Sequence, residues 1–153
     1  IVKGGALYLE NFEPGRWPAC NPETGYLNVD GGATKTFILA AHRANAADPF
    51  WALCFGRRPA VEFYDLKADP DCVKNLATQP ATEKARAALK AALFAELRAQ
   101  GDPRMFGQGD IFDRYPHANP ANQHFYERYM KGEKIRASWV NPTDFEPAPL
   151  DQE

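Results

Sequence analysis

Proline and glycine set the first limit on what this chain can fold into. Thirteen prolines and eleven glycines stand in 153 residues, many of them in the first 60 and the last 52. Each interrupts helices and central strands, so long irregular segments should surround a compact middle. With 44% hydrophobic side chains the chain can bury one core of ordinary size, which predicts one domain over 1–141 and an acidic, Pro-rich tail over 142–153 that is either mobile or wrapped on the fold. Eighteen Lys and Arg against twenty Asp and Glu leave a net charge of -2, without the basic surplus that phosphate-backbone binding needs. Nucleic acid is therefore not an expected partner. Apolar runs such as Phe37 to Ala41 and Phe50 to Phe55 fall far short of the ~20 residues that cross a bilayer, so no membrane span is expected. The sequence opens at Ile1, with neither a Met nor a signal-type segment, and reads as a piece of something longer.

The pattern of residues gives an α+β outline: a small antiparallel β-sheet with a long helix packed across one face, plus short helices and extended loops. Ile1-Val2 and Ala6 to Phe12 form a hairpin around Gly4-Gly5, with Tyr8, Glu10 and Phe12 on one face and Leu7, Leu9 and Asn11 on the other. Ala60 to Leu66 is the best strand and should pair antiparallel with Leu7 to Phe12. The strongest helix runs from Pro80 to Gln100, where Ala85, Leu89, Leu93 and Leu97 recur every four residues before Gly101 ends it. Three shorter helices follow from their punctuation. One runs from Lys35 to about Asn45, capped by Thr34, with a stripe of Phe37, Ile38, Ala41 and Ala44. Asp48, Pro49 and Gly56 bracket another, which buries either Phe50, Leu53 and Cys54 or Trp51 and Phe55. The last runs from Pro120 to Lys131, between Asn119 and Gly132.

Residues that carry chemistry are sparse. His42, His117 and His124 are not spaced as metal ligands, and no zinc, serine-hydrolase or phosphate-loop motif occurs. Cys20, Cys54 and Cys72 are odd in number and far apart, which supports neither a disulfide framework nor a zinc site. Asp65, Asp69 and Asp71 lack the regular spacing and closing Glu of a calcium loop and are better read as turn formers. No residue is assigned as catalytic or metal-binding. The long loop from Glu13 to Ala33 carries Arg16, Trp17 and Tyr26, and a loop of that length with such residues is expected to be functional.

Val61-Glu62-Phe63-Tyr64-Asp65-Leu66 followed by Asp69-Pro70 and Asn75-Leu76 strongly resembles the E-L-Y-D-L-x-x-D-P-x-E-x-x-N-L signature near the C-terminus of type I, formylglycine-dependent sulfatases. The heparan N-sulfatase (sulfamidase) branch is the nearest look-alike. Tyr8 to Phe12, Arg16-Trp17-Pro18, Asn21 to Tyr26 and Phe112 to Tyr115 extend the resemblance over about residues 1 to 118. Phe63, Asp71 and Glu10 depart from the usual residues. Cys20-Asn21-Pro22-Glu23-Thr24 begins like the C-x-P-x-R sequence converted to formylglycine but has Thr where that pattern has Arg. The resemblance implies a C-terminal subdomain supporting an N-terminal catalytic domain absent from this chain. Formylglycine and calcium would belong to that domain, no cofactor is expected here, and the intact enzyme would act on sulfate esters or N-sulfates of sugars, such as glycosaminoglycans, in the periplasm or after secretion. Arg16 would then meet a sulfated sugar, and Trp17 or Tyr26 would stack on its ring, unless Trp17 simply anchors the loop to the core.

Two rival readings follow from the same residues: a stand-alone carbohydrate-binding module, or a homodimerisation module in which the Tyr126 to Trp139 arm docks on a neighbour. A C/S-x-P-x-R segment encoded upstream separates the sulfatase reading from the first rival. If a catalytic domain normally covers one side of the sheet, the chain alone should self-associate and bind a hydrophobic dye. A monomer in sedimentation that binds no dye would contradict this.

Overall fold

The computed structural model describes residues 1–150. The chain forms two compact units, one made of residues 1–12 and 59–117, the other of residues 13–58 and the chain from 118 onward. The first holds the sheet and the long helix, giving the expected α+β architecture. Strands β1 (Val2–Lys3), β2 (Ala6–Glu10) and β3 (Val61–Asp65) lie antiparallel in that order. Gly4 and Gly5, with φ of 60° and 80°, make the two-residue turn between β1 and β2, which needs positive φ at both positions.

Tyr8 sits opposite Phe63, and the two rings join Ala77 and Leu89 in one buried cluster. Leu89 belongs to the long helix α3 (Glu83–Ala99), which a 3-10 turn at Pro80–Thr82 precedes. Of the expected four-residue stripe, Leu89 is buried, Leu93 and Leu97 are half-buried, and Ala85 is exposed. Each four-residue step drifts about 40° around a helix of 3.6 residues per turn, so a stripe with that spacing winds off the contact face. Lys90, half-buried on the same helix, reaches Glu10 Oε1 with its ammonium at 2.8 Å. Beyond α3, Arg104 is fixed by Asp102 and lies over the rings of Phe12 and Phe112, at 5.1 and 5.0 Å.

The segment after β3 is held by two side chains. The Asp69 carboxylate accepts from the N–H groups of Val73 and Lys74 at 3.1 and 2.8 Å. Asn75 Oδ1 accepts from Phe63 N–H at 3.0 Å and Ala77 N–H at 2.9 Å, while its Nδ2 donates to the Val61 carbonyl at 3.2 Å. Asn75 thus ties the returning chain to β3 as an extra strand would. Glu62, buried in the same strand, accepts from Tyr64 Oη and Asn11 Nδ2 at 2.6 and 2.8 Å.

In the second unit, α1 (Ala33–Ala44) begins after Gly32 without a side-chain cap, so the expected capping by Thr34 is not observed. Its buried positions are Lys35 and Leu39, and Phe37 is 69% exposed. The apolar stripe read from sequence is corrected accordingly: a lysine outcompetes a phenylalanine for the interior because its ammonium has acceptors there. Nζ donates to the carbonyls of Gly25, Tyr26 and Val29 at 2.7, 3.4 and 2.6 Å, and pairs with Asp144 Oδ2 at 3.1 Å. Helix α2 (Pro49–Cys54) is capped by Asp48, which accepts from Phe50 N–H, and it buries Trp51, with Phe55 just beyond.

The single helix expected over Pro120 to Lys131 is two pieces: a 3-10 turn at Pro120–Asn122, capped by Asn119, and α4 (Phe125–Met130). His124 separates them in the left-handed region, at φ 54°. The tail does not stand apart from the fold. Asp144 and Glu146 are buried, and Arg43 grips the segment through Glu146, the Thr143 carbonyl and the Phe145 carbonyl. Boundaries drawn at 141 on composition miss this because charged residues count as solvent-seeking until their partners are known. Gly31 serves the same junction: a Cβ there would meet Asn141 N at 2.8 Å. No helix among the described residues is long and apolar enough to cross a membrane.

Replacing Asn75 by Ala strands the donors that its side chain now satisfies, and urea unfolding should show a loss of about 2–3 kcal/mol. Asn75→Asp, which keeps the accepting oxygen, should lose less. Equal losses in the two variants would contradict this account of the latch.

Candidate functional site

The loop from Glu13 to Ala33 is built from turns. Pro22–Thr24 forms a 3-10 turn that Gly25 ends in the left-handed region, at φ 78°. Thr24, fully buried, donates from Oγ1 to the Asn21 carbonyl at 3.0 Å. Position 24, where the formylglycine pattern has Arg, is thus a turn-forming residue.

This loop, with Arg57, Tyr126 of α4 and the chain at Pro149 and Leu150, lines an open cavity of about 590 Å³ within the second unit. That lies inside the roughly 300–1,000 Å³ range of small-molecule sites. Its walls include Arg16, Trp17, Cys20, Glu23, Arg57 and Tyr126. Two of the three residues singled out from sequence, Arg16 and Trp17, therefore meet at one opening. Arg16 is exposed and lies 3.6 Å from Glu13. Trp17 packs edge-on against Trp51 at 6.1 Å and carries the Arg57 guanidinium at 4.5 Å from its ring centre. The ring both anchors the loop and seats a cation.

Tyr26 is elsewhere. It is fully buried, its ring 4.8 Å from that of Phe55, and its hydroxyl accepts from Trp51 Nε1 at 3.1 Å. No face is left for a sugar, so the stacking role expected of it is withdrawn. A large ring with a satisfied polar tip gains more from the core than from a loop surface, and its burial raises the phenol pKa well above the ordinary range. His42 is also packed, stacked on Trp51 at 4.0 Å.

Two wall residues went unmarked in the sequence. Glu23 is 8% exposed, and its Oε2 is buried with no hydrogen-bond partner. Arg57 is half-buried, and its Nε is likewise buried and unpartnered. Buried polar atoms in native folds are nearly always satisfied. Among the described residues four side-chain atoms are not, the others being His42 Nδ1 and Asp144 Oδ1, and the Glu23 and Arg57 atoms belong to residues lining one cavity. The available sequence signals were weak: a Glu inside a Pro-started turn, and two basic residues directly after the helix-ending Gly56.

Cys20 lies on the same wall, and burial pushes its thiol pKa up, partly offset by a backbone hydrogen bond from Asn28. The net direction is upward, which disfavours a thiolate nucleophile. Asp65 and Asp69 are committed to turn N–H groups, and no group of three potential metal ligands occurs among the described residues. Comparisons of the chain with known protein families, with characterised proteins and with solved structures find no match.

Alkylation should discriminate between the cysteines. Cys54 is exposed and should react first at neutral pH. Cys20 should accelerate only above the ordinary thiol range, because a raised pKa leaves less thiolate at any lower pH. Mass spectrometry of timed iodoacetamide digests would read this, and Cys20 reacting as fast as Cys54 at pH 7 would contradict it.

Proposed function

We propose that this chain is the C-terminal subdomain of a sulfatase that acts on sulfated sugars. It supports a preceding catalytic domain and contributes Arg16 and Trp17 to the substrate side, without carrying the chemistry itself. The observation that supports this reading most is the use made of the 61–77 signature. Glu62, Asp65, Asp69 and Asn75, four of its polar residues, each hold a hydrogen bond within the strand, turn and return of the first unit. A motif spent in this way is a structural one, as expected of a subdomain whose chemistry lies in another part of the enzyme.

The cavity beside Arg16 and Trp17 adds a place for an anionic ligand, with cationic side chains on a wall that also carries an aromatic ring. Formylglycine and calcium belong, in this reading, to the catalytic domain, which would work in the periplasm or outside the cell.

The test is sulfatase activity on a chromogenic aryl sulfate, measured for the 153-residue chain and for its full-length parent after formylglycine maturation. Turnover by the parent and none by the short chain is expected. A matured parent without turnover, or a coding sequence lacking an upstream C/S-x-P-x-R segment, would overturn the proposal.

A further inference from the structure

We propose that the cavity walled by Glu23 and Arg57 is a binding site for a hydroxy acid of sugar size, an oxyanion with a hydroxyl beside it. Arg57 Nε is a buried donor and Glu23 Oε2 a buried acceptor, and since neither has a partner they do not satisfy each other. Leaving such groups unpaired is costly, and more so where charge is involved. A ligand that supplies one acceptor and one donor removes both costs at once.

Charge selects the acceptor. A guanidinium binds an oxyanion more strongly than a neutral oxygen and does so with a planar fork. Arg57 is held for this by its seat on Trp17, which limits the side-chain entropy lost on binding, and Arg16 adds positive charge at the same opening. Glu23 selects the donor, because a second anion beside its oxygen would repel while a hydroxyl would donate. Together they reject a bare anion, which leaves Glu23 unmet, and a neutral sugar, which leaves Arg57 unmet. Choosing a sugar acid among hydroxy acids rests on the sulfatase reading; the anion-plus-hydroxyl pattern rests on the cavity alone.

Glucuronate, glucose and acetate, titrated calorimetrically into the 153-residue chain, separate these terms. Glucuronate should bind at least tenfold more tightly than either of the others. Arg57→Gln should erase its advantage over glucose, and Glu23→Leu, which removes the acceptor, its advantage over acetate. Arg57 is half-buried at a corner, so its variant should fold even if the Glu23 variant does not, and it then decides alone. As an independent readout, glucuronate should slow alkylation of Cys20 in a chain carrying Cys54→Ser and Cys72→Ser. Glucuronate binding no tighter than glucose or acetate, or unchanged by Arg57→Gln, would overturn the site, even with a sulfatase-active parent. Glucuronate binding with an inactive parent would leave the site standing and remove the sulfatase reading.

Discussion

One ammonium group organises the second unit. Lys35 is 4% exposed, and its Nζ gathers three carbonyls from the Gly25 to Val29 stretch together with the Asp144 carboxylate. A lysine buried without partners would be severely destabilising, and removing one member of a buried pair typically costs 3–5 kcal/mol. The arrangement is therefore weak as a source of stability but strong as a specifier: the charge is tolerable only when the loop, the start of α1 and the tail stand where they do. Arg43, about two turns further along α1, does the same for Thr143, Phe145 and Glu146. An irregular loop of some twenty residues acquires a fixed shape with little regular structure of its own.

The cavity inherits that shape. Gly25 and Tyr26 sit next to Glu23, and their carbonyls are the ones Lys35 holds. Tyr26 in turn carries Trp51, against which Trp17 packs, and Trp17 seats Arg57. Each link is a contact between a buried group and the next, running from the core to the cavity wall. Four buried side-chain atoms have no partner among the described residues: Asp144 Oδ1 and His42 Nδ1 away from the wall, and Glu23 Oε2 and Arg57 Nε on residues that line it.

Much of the first unit was legible in the sequence. Alternation, a Gly-Gly turn and a β-branched, aromatic run gave β2, β3 and their antiparallel pairing, since those signals act over a few residues. Asp48-Pro49 gave the start of α2 for the same reason. Some departures are local, at the α3 stripe, the Thr34 cap and the break at His124; the larger ones are long-range. Lys35 displaced Phe37 from the interior because its acceptors lie up to 109 positions away, at Asp144. Tyr26 went inside because Trp51 offers its hydroxyl a donor. The tail joined the fold because two α1 cations meet its acids. Arg16 and Trp17 were visible as unusual loop residues, whereas Glu23 and Arg57 look ordinary in sequence and gain meaning only from what they lack in three dimensions.

The claim that Lys35 fixes the loop is tested most directly by amide hydrogen exchange on Lys35→Met. Gly25 and Val29 N–H groups, now bonded to the Pro22 and Tyr26 carbonyls at 2.9 Å each, should lose protection by at least tenfold. Amides of β2 and β3 in the first unit should keep theirs. Unchanged protection at Gly25 and Val29 would mean that the loop holds its shape without the buried ammonium, and would contradict the account.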